Sequence, residues 1–129
     1  MYTVKEVAEK MSISTHTLRF YENQGFFPYV IRDKNNVRQF STDDLNWVQI
    51  VQALRTTGMP LVEVKRYIEL CQKGDITIHE RFSMILAQCQ KTQEDIEKLN
   101  QQMSILKSKA TYYQELVLHN QVDNRNPEI

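Results

Sequence analysis

Apolar positions recur at helical spacing from the very start of the chain. Val4, Val7, Ala8 and Met11 stand at i, i+3, i+4 and i+7, and Thr3 with Glu6 has capping-box spacing, so the pattern predicts a short one-faced helix. Ser12-Ile13-Ser14 interrupts the stripe. Ser14 is placed to cap a second helix carrying Leu18, Phe20 and Tyr21, with Gly25 at the position where a left-handed residue closes a helix. Two short helices joined by a tight turn make a helix-turn-helix. After Phe27-Pro28 the pattern becomes extended: Tyr29, Val30 and Ile31 precede Asn35-Asn36, and Val37, Arg38, Gln39 and Phe40 follow it. Asparagine tolerates the left-handed backbone of a hairpin turn, so this segment reads as a two-stranded wing. Such a hairpin is marginal alone and must lean on the helices beside it.

Ser41 and Asp44 start a third helix, with Leu45, Val48, Val51 or Gln52, and Leu54 inward, Trp47 and Ile50 flanking, and Gly58 as its stop. Pro60 suits the first helical position of a fourth helix, whose stripe is Leu61, Val64, Tyr67, Ile68 and Cys71 and which Gly74 ends. Four helices and a hairpin over residues 1–74 form one domain near the lower size limit for a self-sufficient core.

From Thr77 to about His119 there is neither glycine nor proline. Ile78, Phe82, Ile85, Cys89, Thr92, Ile96, Leu99, Met103, Leu106, Ala110, Tyr113 and Val117 alternate at spacings of four and three. A heptad seam sustained this long predicts a coiled-coil helix over 75–119, on the order of 60 Å long at ~1.5 Å per residue. One chain cannot bury such a seam, and the simplest partner is a second copy. Residues 120–129 lack a stripe and read as a frayed tail. The fold class is therefore mostly α: a winged helix-turn-helix domain with a small β-hairpin, followed by a long coiled-coil dimerisation helix.

Composition narrows the function. The 129 residues are 41% hydrophobic and 25% charged, enough for one small domain and an extension. No run reaches the roughly 18 apolar residues of a membrane span, and the start of the chain lacks a signal peptide's apolar stretch, so a cytoplasmic protein without membrane contact is expected. The 16 basic and 16 acidic residues cancel, which would argue against a polyanion partner. Their distribution argues the other way. Arg19, Arg32, Lys34 and Arg38 lie in a segment whose only acids are Glu22 and Asp33, whereas acids predominate from Asp75 onward. An enzyme is not expected, because no phosphate loop, metal set or nucleophile with its base is present.

Tyr2-Thr3-Val4 through Ala8, Thr17-Leu18-Arg19-Phe20-Tyr21-Glu22, Gly25-Phe26, Arg32, Val37-Arg38-Gln39-Phe40, Leu54-Arg55 and Gly58-Met59 occur in one order along the chain. Together they resemble the MerR family of bacterial transcriptional regulators over Met1 to about Gly74, and the long helix resembles that family's antiparallel dimerisation helix. The resemblance implies a homodimer that binds double-stranded, palindromic promoter DNA and bends and untwists it, so that RNA polymerase meets aligned promoter elements. Trp47 and the Gly74-Asp75 junction are similar to the aldehyde- and stress-responsive branch. Ala53 stands where that branch often carries a cysteine, a departure that leaves the sensing chemistry open.

The residues matching the family's DNA-facing positions are His16, Arg19 and Tyr21 on the second helix and Arg32, Lys34 and Arg38 on the wing. Arginine addresses guanine or phosphate, and tyrosine and histidine donate to phosphate oxygens. The plainer alternatives are a solvated helix face with one packed ring and a charged hairpin edge. Arg55 reaches phosphate or caps its own helix. Ile85, Cys89, Ile96, Leu99, Met103, Leu106 and Tyr113 are the expected dimerisation residues. Cys71 and Cys89 lie on apolar stripes, form no spaced ligand set with His79 or His119, and read as buried structural cysteines, so no metal and no cofactor is expected. Two other functions fit parts of the pattern: an architectural or excisionase-like DNA-bending protein, and a coiled-coil scaffold, against which the wing arginines argue.

Overall fold

A computed structural model describes residues 1–125. Its elements in order are α1 (Val4–Met11), α2 (Thr15–Asn23), β1 (Ile31–Arg32), β2 (Arg38–Gln39), α3 (Thr42–Thr56), α4 (Leu61–Gln72), a 3-10 turn (Asp75–Thr77) and α5 (Ile78–His119). The helix starts follow from side-chain caps. Thr3 and Glu6 close a capping box on α1, Ser41 and Asp44 close one on α3, and the Ser14 hydroxyl accepts the Thr17 amide at 3.0 Å. Each satisfies an amide that the first helical turn leaves without a partner, a contribution of about 1 kcal/mol per cap. The Thr3 amide and hydroxyl also hold the Glu6 carboxyl below its ordinary pKa. Pro60 serves as the N-cap of α4, one position earlier than the spacing predicts.

The chain divides into two compact units, Met1–Gln88 and the segment from Cys89 onward. In the first, Val4 and Val7 of α1, Leu18 of α2, Phe26, Phe27 and Phe40, Leu45, Val48 and Val51 of α3, Met59, and Val64 and Ile68 of α4 form one core. The expected inward residues Val4, Val7, Leu18, Leu45, Val48, Val51, Val64 and Ile68 are in that core, whereas Phe20 of the α2 stripe is exposed. Tyr67 and Cys71 of the α4 stripe stay half-exposed, and Leu70 is buried instead.

The wing is shorter than expected. Tyr29 and Val30 lie outside the sheet, which pairs Ile31 with Gln39 and Arg32 with Arg38. Tyr29 leaves the strand to approach Trp47, with ring centroids 6.3 Å apart. The turn is closed by Asp33, whose Oδ1 accepts the Asn35 and Val37 amides at 2.8 and 3.0 Å, while Asn36 takes the left-handed conformation at φ 61°. Phe40 bridges to Tyr2, Tyr2 N donating to Phe40 O at 2.7 Å and Phe40 N to Tyr2 O at 2.9 Å. The N-terminus thereby anchors a hairpin that two-residue strands could not hold alone.

The domain expected to end at Gly74 continues to Gln88. The Thr77 hydroxyl meets the Leu70 and Gly74 carbonyls at 2.6 and 2.8 Å, and Arg81 donates to the same Gly74 carbonyl at 3.1 Å. Ile85 packs against the core, and Gln88 Nε2 donates to the Thr57 carbonyl at 2.9 Å. The heptad pattern cannot distinguish an apolar residue that meets its own domain from one that meets a partner.

In the second unit the helix runs on to His119 with no buried side chain. Where it is described, the expected frayed tail turns back along the helix. Asn120 turns the chain at φ 49°, the Tyr112 hydroxyl donates to Asp123 at 2.5 Å, and the Arg125 guanidinium lies 4.4 Å from the Tyr112 ring centroid. Hydrogen bonding to Asp123 raises the Tyr112 pKa above its ordinary value. The remainder of that expectation, residues 126–129, lies outside the described residues.

Candidate nucleic-acid interface

Helix α2 has two faces. Leu18 is fully buried, while His16 and Arg19, three residues apart and so neighbours on the opposite side, are exposed. Tyr21 turns toward the core: its ring stacks on Phe26 at 5.3 Å and meets Phe27 edge-on at 6.5 Å. It is the packed ring of the plainer alternative, though it also lines a shallow surface groove of about 300 Å³ with His16, Thr17, Phe20, Arg55 and Leu61. Arg55, in the last turn of α3, donates from Nη1 to the Met59 carbonyl in the following loop at 2.6 Å and so ties that loop to the helix rather than capping it.

On the wing, the register sets Arg32 directly opposite Arg38. Like charges facing each other across a hairpin are destabilising. Glu22, in the last turn of α2, resolves the conflict. Arg38 Nε donates to Glu22 Oε2 at 2.8 Å, and Arg32 Nη2 lies 3.7 Å from the same oxygen. Arg38 also donates from Nη2 to Asn23 Oδ1 at 2.9 Å. Its side chain is only 15% exposed against 36% for Arg32, so the two wing arginines are not equivalent. Arg32 makes one further hydrogen bond, from Nη1 to the Asn36 carbonyl at 3.3 Å.

Both acids of this basic segment are therefore engaged internally, Glu22 by the arginines and Asp33 by the turn and by Gln39. Lys34, like His16 and Arg19, is exposed, and among the described residues none of the three side chains makes a hydrogen bond or ion pair. The result is a face with unpaired positive charge on α2 and at the wing tip. Sequence reasoning missed Glu22 and Asn23 as parts of this site. The available signal was an isolated acid in a basic segment.

Of the expected dimerisation residues, Ile85 belongs to the domain core, as described above. Cys89, Ile96, Leu99, Met103, Leu106 and Tyr113 are all exposed on α5. Cys71, expected to be buried on its stripe, is half-exposed with Arg81 Nη1 3.9 Å from its sulfur, and Cys89, expected on the seam between two copies, is exposed on the single chain. Among the described residues no three His, Cys, Asp or Glu side chains are grouped to hold a metal ion, and no helix is long and apolar enough to cross a membrane.

A helix-turn-helix whose second helix presents a free arginine and an exposed histidine beside a two-stranded wing defines a winged helix-turn-helix DNA-binding protein. Residues 2–71 match the MerR HTH family of regulatory proteins, and the chain belongs to that family as a DNA-binding transcriptional regulator. An uncharacterised HTH-type transcriptional regulator of Haemophilus influenzae is 40% identical over 113 residues, 88% of this chain and 84% of that protein. Among solved structures, HiNmlR, a MerR family regulator lacking the sensor domain and bound to promoter DNA, is 38% identical with a TM-score of 0.77, covering 93% of this chain and 95% of that one. A MerR family regulator from Bacillus thuringiensis is 27% identical with a TM-score of 0.72, covering 87% and 98%.

Proposed function

We propose that this chain acts as a homodimer on a palindromic promoter, in the cytoplasm, with no catalytic step of its own. Two winged domains bind the half-sites, and the DNA between them is bent and untwisted so that RNA polymerase engages the promoter. The observation that carries this reading is the likeness to HiNmlR, which is bound to promoter DNA and matches this chain over nearly all of its length. The exposed, unpaired side chains of His16, Arg19 and Lys34, with Arg32, supply groups for phosphate and base edges. Tyr21 contributes through the groove it lines, and Arg38 acts from behind the surface. Cys89, Ile96, Leu99, Met103, Leu106 and Tyr113 form the seam that a second copy covers. Deforming the DNA costs several kcal/mol, which contacts at both half-sites must offset.

Footprinting on the chain's own upstream region, with and without RNA polymerase, tests the reading. Two protected half-sites centred on a promoter spacer, with polymerase bound at the same time, are expected. Protection away from any promoter would favour an architectural DNA-bending role instead.

A further inference from the structure

We infer that Glu22 is a positioning residue for DNA binding, clamping the wing to the recognition helix through Arg38, so that Arg38 orders the interface while Arg32 is the wing arginine left to contact phosphate. This rests on the DNA-binding reading above and divides its two wing arginines by role.

The geometry carries the division. Arg38 presents two adjacent guanidinium edges to two acceptors on the last turn of α2, Nε to Glu22 Oε2 at 2.8 Å and Nη2 to Asn23 Oδ1 at 2.9 Å. The Arg38 and Glu22 side chains are 15% and 14% exposed, so this ion pair is largely withdrawn from water and from salt. It joins β2 to the end of the helix that carries Arg19. The wing has two paired residues per strand, and among the described residues its other side-chain link to α2 is the looser Arg32–Glu22 approach at 3.7 Å, so its position beside the recognition helix leans chiefly on the Arg38 contact. Arg32 is more exposed and only 3.7 Å from the same carboxylate oxygen, a loose contact that a phosphate displaces easily. Glu22 puts a negative charge beside a surface that binds a polyanion, which has a direct electrostatic cost. Its retention there is explained by the arginine it holds.

Simple electrostatics and the clamp predict opposite outcomes for the same variant. If Glu22 only competes with DNA for the arginines, Glu22→Gln strengthens binding. If it positions the wing, Glu22→Gln weakens binding by roughly tenfold, the size expected when a charge-assisted hydrogen bond that orders the site is lost. Arg38→Ala then weakens binding about equally, and the double variant is no weaker than the worse single one, because both remove one interaction. The salt slope stays at the wild-type value in all three, whereas Arg32→Ala lowers it by about one. Arg38→Lys separates the roles without emptying the site: lysine keeps the charge for a phosphate but cannot address two acceptors as a planar fork, so it behaves like Arg38→Ala.

The measurements are promoter affinities of the full-length chain across a salt series, with helicity and thermal unfolding recorded for each variant. Tighter or unchanged binding by Glu22→Gln, a salt slope lowered by one in Arg38→Ala, or wild-type affinity in Arg38→Lys would each overturn the inference. If wild-type protein fails to bind promoter fragments at all, the functional reading itself fails, an outcome separate from these.

Discussion

The two parts of this chain use the same kinds of residue to different ends. In Met1–Gln88, Leu18, Phe26, Phe40, Val48, Val51, Val64 and Ile68 lose nearly all contact with water. Beyond Gln88, Ile96, Leu99, Met103, Leu106 and Val117 are as apolar, yet each remains between 45% and 79% exposed. Short helices connected by turns fold their stripes onto one another. The helix continuing to His119 buries no side chain among the described residues, and most helical stability in water comes from packing of an apolar face. An amphipathic stripe thus reveals that burial is required but not whether the same molecule supplies it. Ile85 marks the change of role: it lies on the seam pattern, but packs into its own domain.

The largest effect that sharpens this contrast is expected in the domain. Phe40 is fully buried, touches Phe27 edge-on and bridges to Tyr2, so Phe40→Ala should cost about 3–5 kcal/mol of stability, read from the guanidinium unfolding midpoint. An unchanged midpoint would show that the wing and N-terminus do not depend on that ring. In the arm, Leu99→Glu should leave the unfolding of the domain intact and convert the dimer to monomer in sedimentation, because a charge in the seam is placed against its counterpart. A dimer that persists would break the division of roles.

A smaller change is expected at the DNA surface. Arg19 has no partner among the described residues, so Arg19→Ala should leave stability unaltered while costing ~1–3 kcal/mol of promoter affinity and relaxing specificity, if it reads a base. Affinities for cognate and scrambled sites unchanged from wild type would remove it from the interface. The smallest effect concerns Cys89. If α5 pairs antiparallel about Lys98, the two Cys89 residues stand about 18 positions apart along the axis, or ~27 Å, well beyond the ~7 Å a disulfide spans. No Cys89-linked dimer should appear on a non-reducing gel after mild oxidation, and Cys89→Ser should bind promoter DNA normally. A linked dimer would show that the pairing centre lies near Cys89.

The sequence by itself determined what depends on neighbours a few positions apart. Thr3 with Glu6, Ser14 with Thr17, and Ser41 with Asp44 cap their helices through contacts three residues apart, and the inward stripes follow from 3.6-residue periodicity. The helix-turn-helix, the wing and the long helix were legible for that reason, as were the exposed positions of His16, Arg19 and Lys34. Only the tertiary structure decided which charges remain available. Glu22 and Arg38 are sixteen residues apart in the chain, and whether Arg38 faces a phosphate or a carboxylate depends on the angle at which the wing returns to α2. The packing of Tyr21 on Phe26, the packing of Ile85 against the domain core and the return of Asp123 to Tyr112 share this origin. Residue type and spacing state which contacts a side chain is able to make, and the path of the backbone through space selects among them.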